Sequence, residues 1–413
     1  MHFNDNDFQR NSNISCIFDM VWRNHGISRI DISRQLNLYR STVSNIIGTL
    51  LNNDVLLEGE WESDVVRSGR KPVNLKINDA FGCIIGIELQ IDVFSVVAST
   101  FSGDILFSTS GVTPCAPFPD ADPAQLFVFN IDKIIEQILP RIAELSVPPL
   151  GIGIGIPGII DVNKGIIIRS DPFSITGYNY AETLRTRYGI PLVIENDANC
   201  CAWLQCQNYR KNQNRDFLSV LTRNYKNNGP RYREYYKYGI GVGLAATMSG
   251  RVLYGHNYAF GEYISHSWKP NKTGQNGLPE AVINTVQTND DSYAEFICDL
   301  FSTLTTFIPL LGPNAVFLHG QPAARHQLIH TVIAAQVPQF LKVLDNCNAS
   351  FTVMPEMPYE IAHGAAAMFL QRLFSIDETD GTDSYSHVSW DEIFAVRQKN
   401  KTGPQFHTGL VRA

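Results

Sequence analysis

No two of the eight cysteines in this 413-residue sequence form a C-x-x-C pair, no apolar run matches a bilayer span or a signal peptide, and basic residues are not in excess. Each absence removes a class of function. Cysteines that sit mostly inside apolar runs read as small buried hydrophobes in a reducing compartment. The CCAWLQC cluster (Cys200, Cys201, Cys206) is not expected to hold a metal, because adjacent helical cysteines point to different faces. Without a span or leader, a cytoplasmic protein with no membrane partner is expected. A net charge of −7 and a pI of about 5.8 mean that any nucleic-acid contact must come from a local patch.

Such a patch is legible near the start. Residues 13–51 carry three helical patterns separated by turn signals. The first places Ile14, Ile17, Phe18, Val21 and Trp22 on one stripe and stops at Gly26; Ser28 caps the second; the third, from Tyr39 to Leu51, turns Val43, Ile46, Ile47 and Leu50 inward. This is helix-turn-helix spacing. The exposed start of the third helix offers Arg40, Ser41, Thr42, Ser44 and Asn45, short or forked hydrogen-bonders suited to phosphates and base edges. Two strand patterns, 55–60 and 73–78, follow around the loop RSGRKP. They read as a wing whose tip carries Arg67, Arg70 and Lys71. Residues 1–78 hold nine basic and nine acidic residues, so the positive charge is clustered rather than abundant. A protein–protein module with a solvated basic loop is the alternative; polar recognition positions together with a basic wing favour DNA.

From Phe81 onward strands alternate with helices, the pattern of α/β layers. Three consecutive strands cover 81–110, a helix runs from Pro123 to Leu145, and the strand GIGIGIPGII leads into DVNKG. The apolar run PLVI then ends in Glu195, Asn196, Asp197 and Asn199. Polar groups at a strand end suit a small polar ligand, and they equally suit an Asx-rich cap on the following helix.

The meander after Phe81, GIGIGIPGIID, the ENDAN box, YGIGVGLAATMSGRVLYG followed by GE, and the late IAHGAAAMFL together resemble the ROK family, over almost the whole chain to about Phe374. That family comprises sugar kinases with a two-lobed, actin-like (ribonuclease H-like) α/β ATPase fold, and transcriptional repressors that add an N-terminal winged helix-turn-helix. The resemblance implies a winged head over 1–79, a sugar-kinase-like effector-binding and oligomerising domain over 80–378, and a tail over 379–413 with no assigned role. It also implies that Pro157, Gly158, Asn196, Asp197 and Glu262 hold sugar hydroxyls, Asp197 standing at the kinase base. His266 follows Glu262 by four residues where the family has three, so it is either the sixth member of the set, shifted by an inserted residue, or a structural histidine near a helix end.

Three departures bear on phosphoryl transfer. The kinase turn D-x-G-G-T corresponds to Glu88–Asp92, with both glycines gone; YGIGVG has Tyr238 for the usual threonine; and Gln321 replaces the second glycine of a late pair. Together they remove the phosphate cradle. The family's cysteine-rich zinc motif is absent after His266, so no metal and no cofactor are expected. The insert RNYKNNGPRYREYYKY, starting at Arg223, mixes arginines with tyrosines and reads as an oligomer contact. The expectation is a non-enzymatic repressor of carbohydrate metabolism that binds operator DNA as a homodimer or homotetramer and senses a sugar or sugar phosphate. The alternative is a sugar kinase with an appended DNA-binding domain.

Overall fold

The computed structural model describes residues 5–24, 26–59, 74–114, 122–208, 215–224, 239–270, 274–320, 322–374 and 388–401. The wing tip (Arg67, Arg70, Lys71), Gln321 and residues 225–238 of the insert lie outside them.

The N-terminal unit contains α1 (Asp5–Arg23), α2 (Arg29–Gln35) and α3 (Arg40–Asn52), followed by β1 (Leu56–Gly59) paired antiparallel with β2 (Asn74–Ile77). Its core is the stripe anticipated from the sequence: Ile14, Ile17, Phe18, Val21 and Trp22 meet Val43, Ile46, Ile47 and Leu50, all buried. Ser28 caps α2 by accepting from the Asp31 amide at 3.2 Å. Ser28 also bridges Asn74, which ties the helices to the hairpin.

The first lobe is a five-stranded sheet. The meander β3 (Cys83–Leu89), β4 (Val93–Thr100) and β5 (Ile105–Val112) is crossed by α4 (Pro123–Ala143) to β6 (Pro149–Ile156), which runs parallel to β3. A small antiparallel sheet of β7 (Ile159–Asp161), β8 (Ile166–Ser170) and β9 (Ile175–Asn179) then leads through α5 (Tyr180–Tyr188) to β10 (Leu192–Asn196), parallel to β6. The order is β10-β6-β3-β4-β5. From β10 the chain passes directly into α6 (Asp197–Asn208).

The second lobe repeats the plan. It contains β11 (Phe217–Asn224), β12 (Ile240–Met248), β13 (Arg251–Val252), α7 (Glu280–Thr285), α8 (Asp290–Leu311), β14 (Ala315–Gly320), α9 (His326–Gln336), α10 (Pro338–Cys347) and β15 (Ser350–Val353), in sheet order β13-β12-β11-β14-β15. The chain then returns to the first lobe as α11 (Glu360–Phe374). By length and composition α8 is apolar enough to cross a membrane, which the sequence reading did not anticipate. Here Phe296, Ile297, Leu300, Phe301 and Leu304 bury one of its faces in the core of the second lobe.

Helix α11 lies on the first sheet so closely that glycine is required beneath it. A Cβ at Gly86 or Gly153 would collide with the carbonyl oxygens of Ala362 and Ala365, one at Gly151 with the ring of Phe369, and one at Gly364 with the Cys200 carbonyl on α6. The alternating glycines of GIGIGIPG thus form a flat track for a helix, with isoleucines on the other face. Outside that track, SWDEIFAVRQ in the tail forms α12 (Trp390–Lys401), which buries Trp390, Ile393 and Phe394 against the body of the protein.

Candidate functional site

Parallel pairing brings the ends of β6 and β10 side by side, with Glu195 opposite Gly155 and Asn196 opposite Ile156. The turn Pro157–Gly158 and the ENDAN box therefore meet at one corner. Asn196 donates its Nδ2 to the Gly158 carbonyl at 2.9 Å, and its Oδ1 accepts from the Asn199 amide at 3.1 Å. The box is thus both a helix cap and a cavity wall. Gly158, at φ 142°, lies against the Arg169 carbonyl, a conformation and a proximity that only glycine tolerates.

The corner faces the second lobe across a cavity of about 580 Å³ lined by Pro157, Gly158, Asn196, Asp197 and Glu262. Five of the six effector residues expected from the sequence are thereby brought together. His266 is not among the lining residues: its Nδ1 lies 2.8 Å from Thr303 Oγ1 on α8. Glu262 sits at the rim, half exposed, and accepts from Arg169 at 3.2 Å. Partial burial raises its carboxyl above the ordinary range, with Arg169 opposing that rise.

Asn199 also faces the cavity. Its Nδ2 donates to Glu195 at 3.1 Å, while its buried Oδ1 has no partner among the described residues. A ligand hydroxyl would satisfy that oxygen. Glu195 itself is fully buried and accepts from the Asn196 amide (2.8 Å) and from the Tyr254 hydroxyl (2.6 Å).

Asp197, the first residue of α6, accepts from the Ala198 amide at 2.9 Å and from Gln90 Nε2 at 3.0 Å. Burial raises its carboxyl above the ordinary value of 3.8; Gln90 and Arg223 pull it down less strongly. The folded state therefore favours the protonated acid. That contribution to stability is complete below the ordinary value and is lost as pH rises through the raised one. Asp197→Asn, which cannot ionise, is expected to melt above the wild type at about pH 7 and to lose that advantage towards about pH 4, as followed by differential scanning fluorimetry. An unchanged difference across the range would show that Asp197 is not strained by its charge.

Arg223 is the residue that the sequence reading misplaced. Assigned there to an oligomer-contact insert, it instead ends β11 inside the cavity, with its guanidinium 2.6 Å from Glu88 and 3.7 Å from Asp92. These are the two ends of the stretch aligned with the kinase phosphate turn. The turn is closed by its own groups: the Gln90 amide donates to the Val93 carbonyl, and Thr113 Oγ1 to the Gln90 carbonyl at 2.6 Å. A guanidinium held by two carboxylates thus closes the turn on its cavity side. Gly239, Gly241 and Gly243 of YGIGVG lead into and along β12. The outward amides of Val242 and Leu244 are taken by Gln275 Oε1 and the Gly261 carbonyl.

In the N-terminal unit, Arg40, Ser41, Ser44 and Asn45 are exposed and Thr42 is half-buried, with no acidic residue in the first turn of α3. Tyr39, missed by the sequence reading, projects beside them at 85 % exposure. Among the described residues, the closest approach to a metal cluster is the buried group Cys201, His319 and Glu360 at the lobe junction. His319 Nδ1 lies 2.6 Å from Glu360 Oε1. Two donors on one zinc stand about 3.2 Å apart, so the spacing fits a shared proton rather than a common metal.

Residues 85–222, which span the first sheet, the small sheet and the ENDAN corner, match the family model described as the ROK family. Over that stretch the chain is similar to the ROK family. Among curated relatives, a putative xylose repressor of Caldicellulosiruptor sp. (strain Rt8B.4) is 29% identical over 176 residues, which is 43% of this chain and 42% of the relative. The xylose repressor of Staphylococcus xylosus is 24% identical over 360 residues, 84% of this chain and 82% of the relative. The chain spans less than half the length of the first of these. Among solved structures, a ROK family transcriptional regulator homologous to the E. coli MLC protein superposes with a TM-score of 0.69 at 15% identity, over 94% of this chain and 100% of that one. A ROK family protein from Streptococcus pneumoniae TIGR4 in complex with sucrose gives 0.52 at 18% identity, over 70% and 98%. At these identities the structures establish the two-lobed fold, and the first extends it to the N-terminal unit.

Proposed function

We propose that this protein is a sugar-responsive transcriptional repressor of the ROK family, without kinase activity. The observation that carries the reading is Arg223, locked between Glu88 and Asp92 where a kinase of this fold would cradle phosphate, beside a sugar-sized cavity that keeps its polar wall. The relatives named xylose repressor support a role on DNA and suggest a pentose as the first ligand to try. In this reading the N-terminal unit is a winged helix-turn-helix. Helix α3 enters the major groove with Arg40, Ser41, Thr42, Ser44 and Asn45, and the wing carries Arg67, Arg70 and Lys71 to the backbone. Sugar hydroxyls bind Asn196, Asp197, Asn199 and Glu262 against the Pro157–Gly158 turn. Two copies on one operator let lobe closure alter the spacing of the heads.

One glycine offers a clean separation of function. Gly48 lies on the face of α3 shared by Ser41, Ser44 and Asn45, and a Cβ there would meet nothing. Internal packing gives no reason for glycine inside a helix, where it costs about 1 kcal/mol relative to alanine. Close approach of DNA does. Gly48→Ala is expected to raise the melting temperature while weakening operator affinity about tenfold. Raised stability with unchanged affinity would remove α3 from the groove.

The reading as a whole is tested by selecting bound DNA from a random pool with the full chain, then titrating D-xylose, other neutral sugars, their phosphates and ATP with magnesium. Sequence-selective binding released by one sugar is expected. ATP turnover would restore the kinase alternative, and failure to enrich any sequence would overturn the repressor.

A further inference from the structure

Helix α1 is not suspended from a linker; it is built into the first lobe. Ser15 Oγ donates to the Leu373 carbonyl at 2.8 Å, Trp390 Nε1 donates to Ser15 Oγ at 3.2 Å, and Trp22 Nε1 donates to the Phe101 carbonyl at 2.8 Å. The Phe18 ring packs on Phe374 and Trp390 at 4.8 and 4.9 Å. Asn11 donates to Asp391 of α12 at 3.0 Å, and the next residue of α12, Glu392, pairs with Arg185 of α5. The seat of α1 is therefore the last turn of α11, with α12 strapped across it.

The same turn has a second attachment. Arg372, adjacent to Leu373, donates to Asn163 Oδ1 at 3.2 Å and hydrogen-bonds the Tyr254 hydroxyl. Tyr254 follows β13 in the second lobe and donates to Glu195 at 2.6 Å, the carboxylate whose other oxygen takes the Asn196 amide and Asn199 Nδ2 at the cavity wall. One side chain of the second lobe thus joins the cavity wall to the turn that carries α1.

We infer that Tyr254 is a latch through which the arrangement of the two lobes at the cavity governs how firmly α1, and with it the N-terminal unit, is seated on the body. A phenol hydrogen-bonded to a buried carboxylate either keeps its partner or loses it, so lobe rotation holds or releases the latch rather than stretching it. Release frees Arg372 and loosens the turn that supplies the Leu373 carbonyl and the Phe374 ring. Ligand contacts at Asn196 and Asn199 act on the same Glu195 carboxylate.

Spatial continuity alone does not establish coupling, so the test is a double-mutant cycle. Amide hydrogen exchange is measured on the full chain, without ligand or DNA, for the wild type, Tyr254→Phe, Ser15→Ala and the double variant. Tyr254→Phe is expected to speed exchange in α1 about tenfold, more than 230 residues from the substitution in sequence, and to add little once Ser15 is already alanine. Arg372→Gln is expected to reproduce the effect, and Arg372→Lys to recover part of it.

Faster exchange confined to the segments around 195 and 254, or effects of Tyr254→Phe and Ser15→Ala that multiply independently, would overturn the latch. Only its purpose rests on the repressor reading. A wild type that binds no DNA would sink that reading and leave the exchange result standing, whereas an unaffected α1 would sink the latch alone.

Discussion

Arg223→Ala is expected to destabilise the protein by about 3 kcal/mol or more, because it strands two buried carboxylates. Glu88 and Asp92 are 9 % and 3 % exposed at their side chains, and Arg223 faces both. Ser95 Oγ, which donates to Glu88 at 2.8 Å, cannot supply the missing charge. Removing one member of a buried ion cluster costs far more than the cluster contributes, since the remaining charges keep their desolvation penalty. A triple variant, Glu88→Gln with Asp92→Asn and Arg223→Met, should recover most of the loss. Thermal and urea unfolding of the three proteins decide the matter. If Arg223→Ala melts like the wild type, the cluster is held open by water and the cavity floor is not closed by this ion pair. On the proposed reading neither variant gains ATP turnover, because the two glycines of the kinase turn are absent at 90 and 91 whatever stands at 223.

Gly153→Ala should cost at least as much, by a different route. The added methyl would overlap the Ala365 carbonyl, where β6 and α11 run backbone to backbone. Neither side can yield cheaply. β6 is hydrogen-bonded to β3 and β10, and α11 is in turn pressed on α6 through Gly364. Overpacking of this kind costs about 1–3 kcal/mol where side chains can move, and about 3 kcal/mol or more is expected where backbone meets backbone. Gly48→Ala is the matched control: the same methyl, placed in open space on α3, is expected to stabilise. Opposite signs for one substitution at two glycines would establish that the GIGIGIPG track is a packing device. Similar melting temperatures for both variants would mean that α11 shifts freely over the sheet.

Much of this molecule is determined by local pattern. The stripes of α1 and α3, the Ser28 cap, the two short strands of the hairpin, the meander after Phe81, α4 and the strand ending at Asn196 follow from periodicity and turn residues, because each depends on neighbours a few positions away; GIGIGIPGII, read as one strand, is split at Pro157–Gly158 into β6 and β7, and β8, β9 and α5 were not read. The ENDAN box was equally legible, since polar residues directly after a buried strand have nowhere to go but a strand end.

What only the tertiary structure decided are the pairings of distant residues. Arg223 stands 135 residues from Glu88 in sequence and looked like part of a basic, tyrosine-rich surface loop; only the meeting of β11 with β3 across the lobes makes it a buried counter-ion. His266 has the right residue type near the right motif, yet it faces Thr303 because α8 offers it a closer partner. Trp390 sits in SWDEIFAVRQ, the one periodic stretch of the tail, yet nothing local announces that its indole reaches Ser15 of α1, 375 residues away. Periodicity reports which face of an element is buried; it carries no information on what that face is buried against, and the cavity, the Arg223 ion cluster and the seat of α1 are all of that second kind.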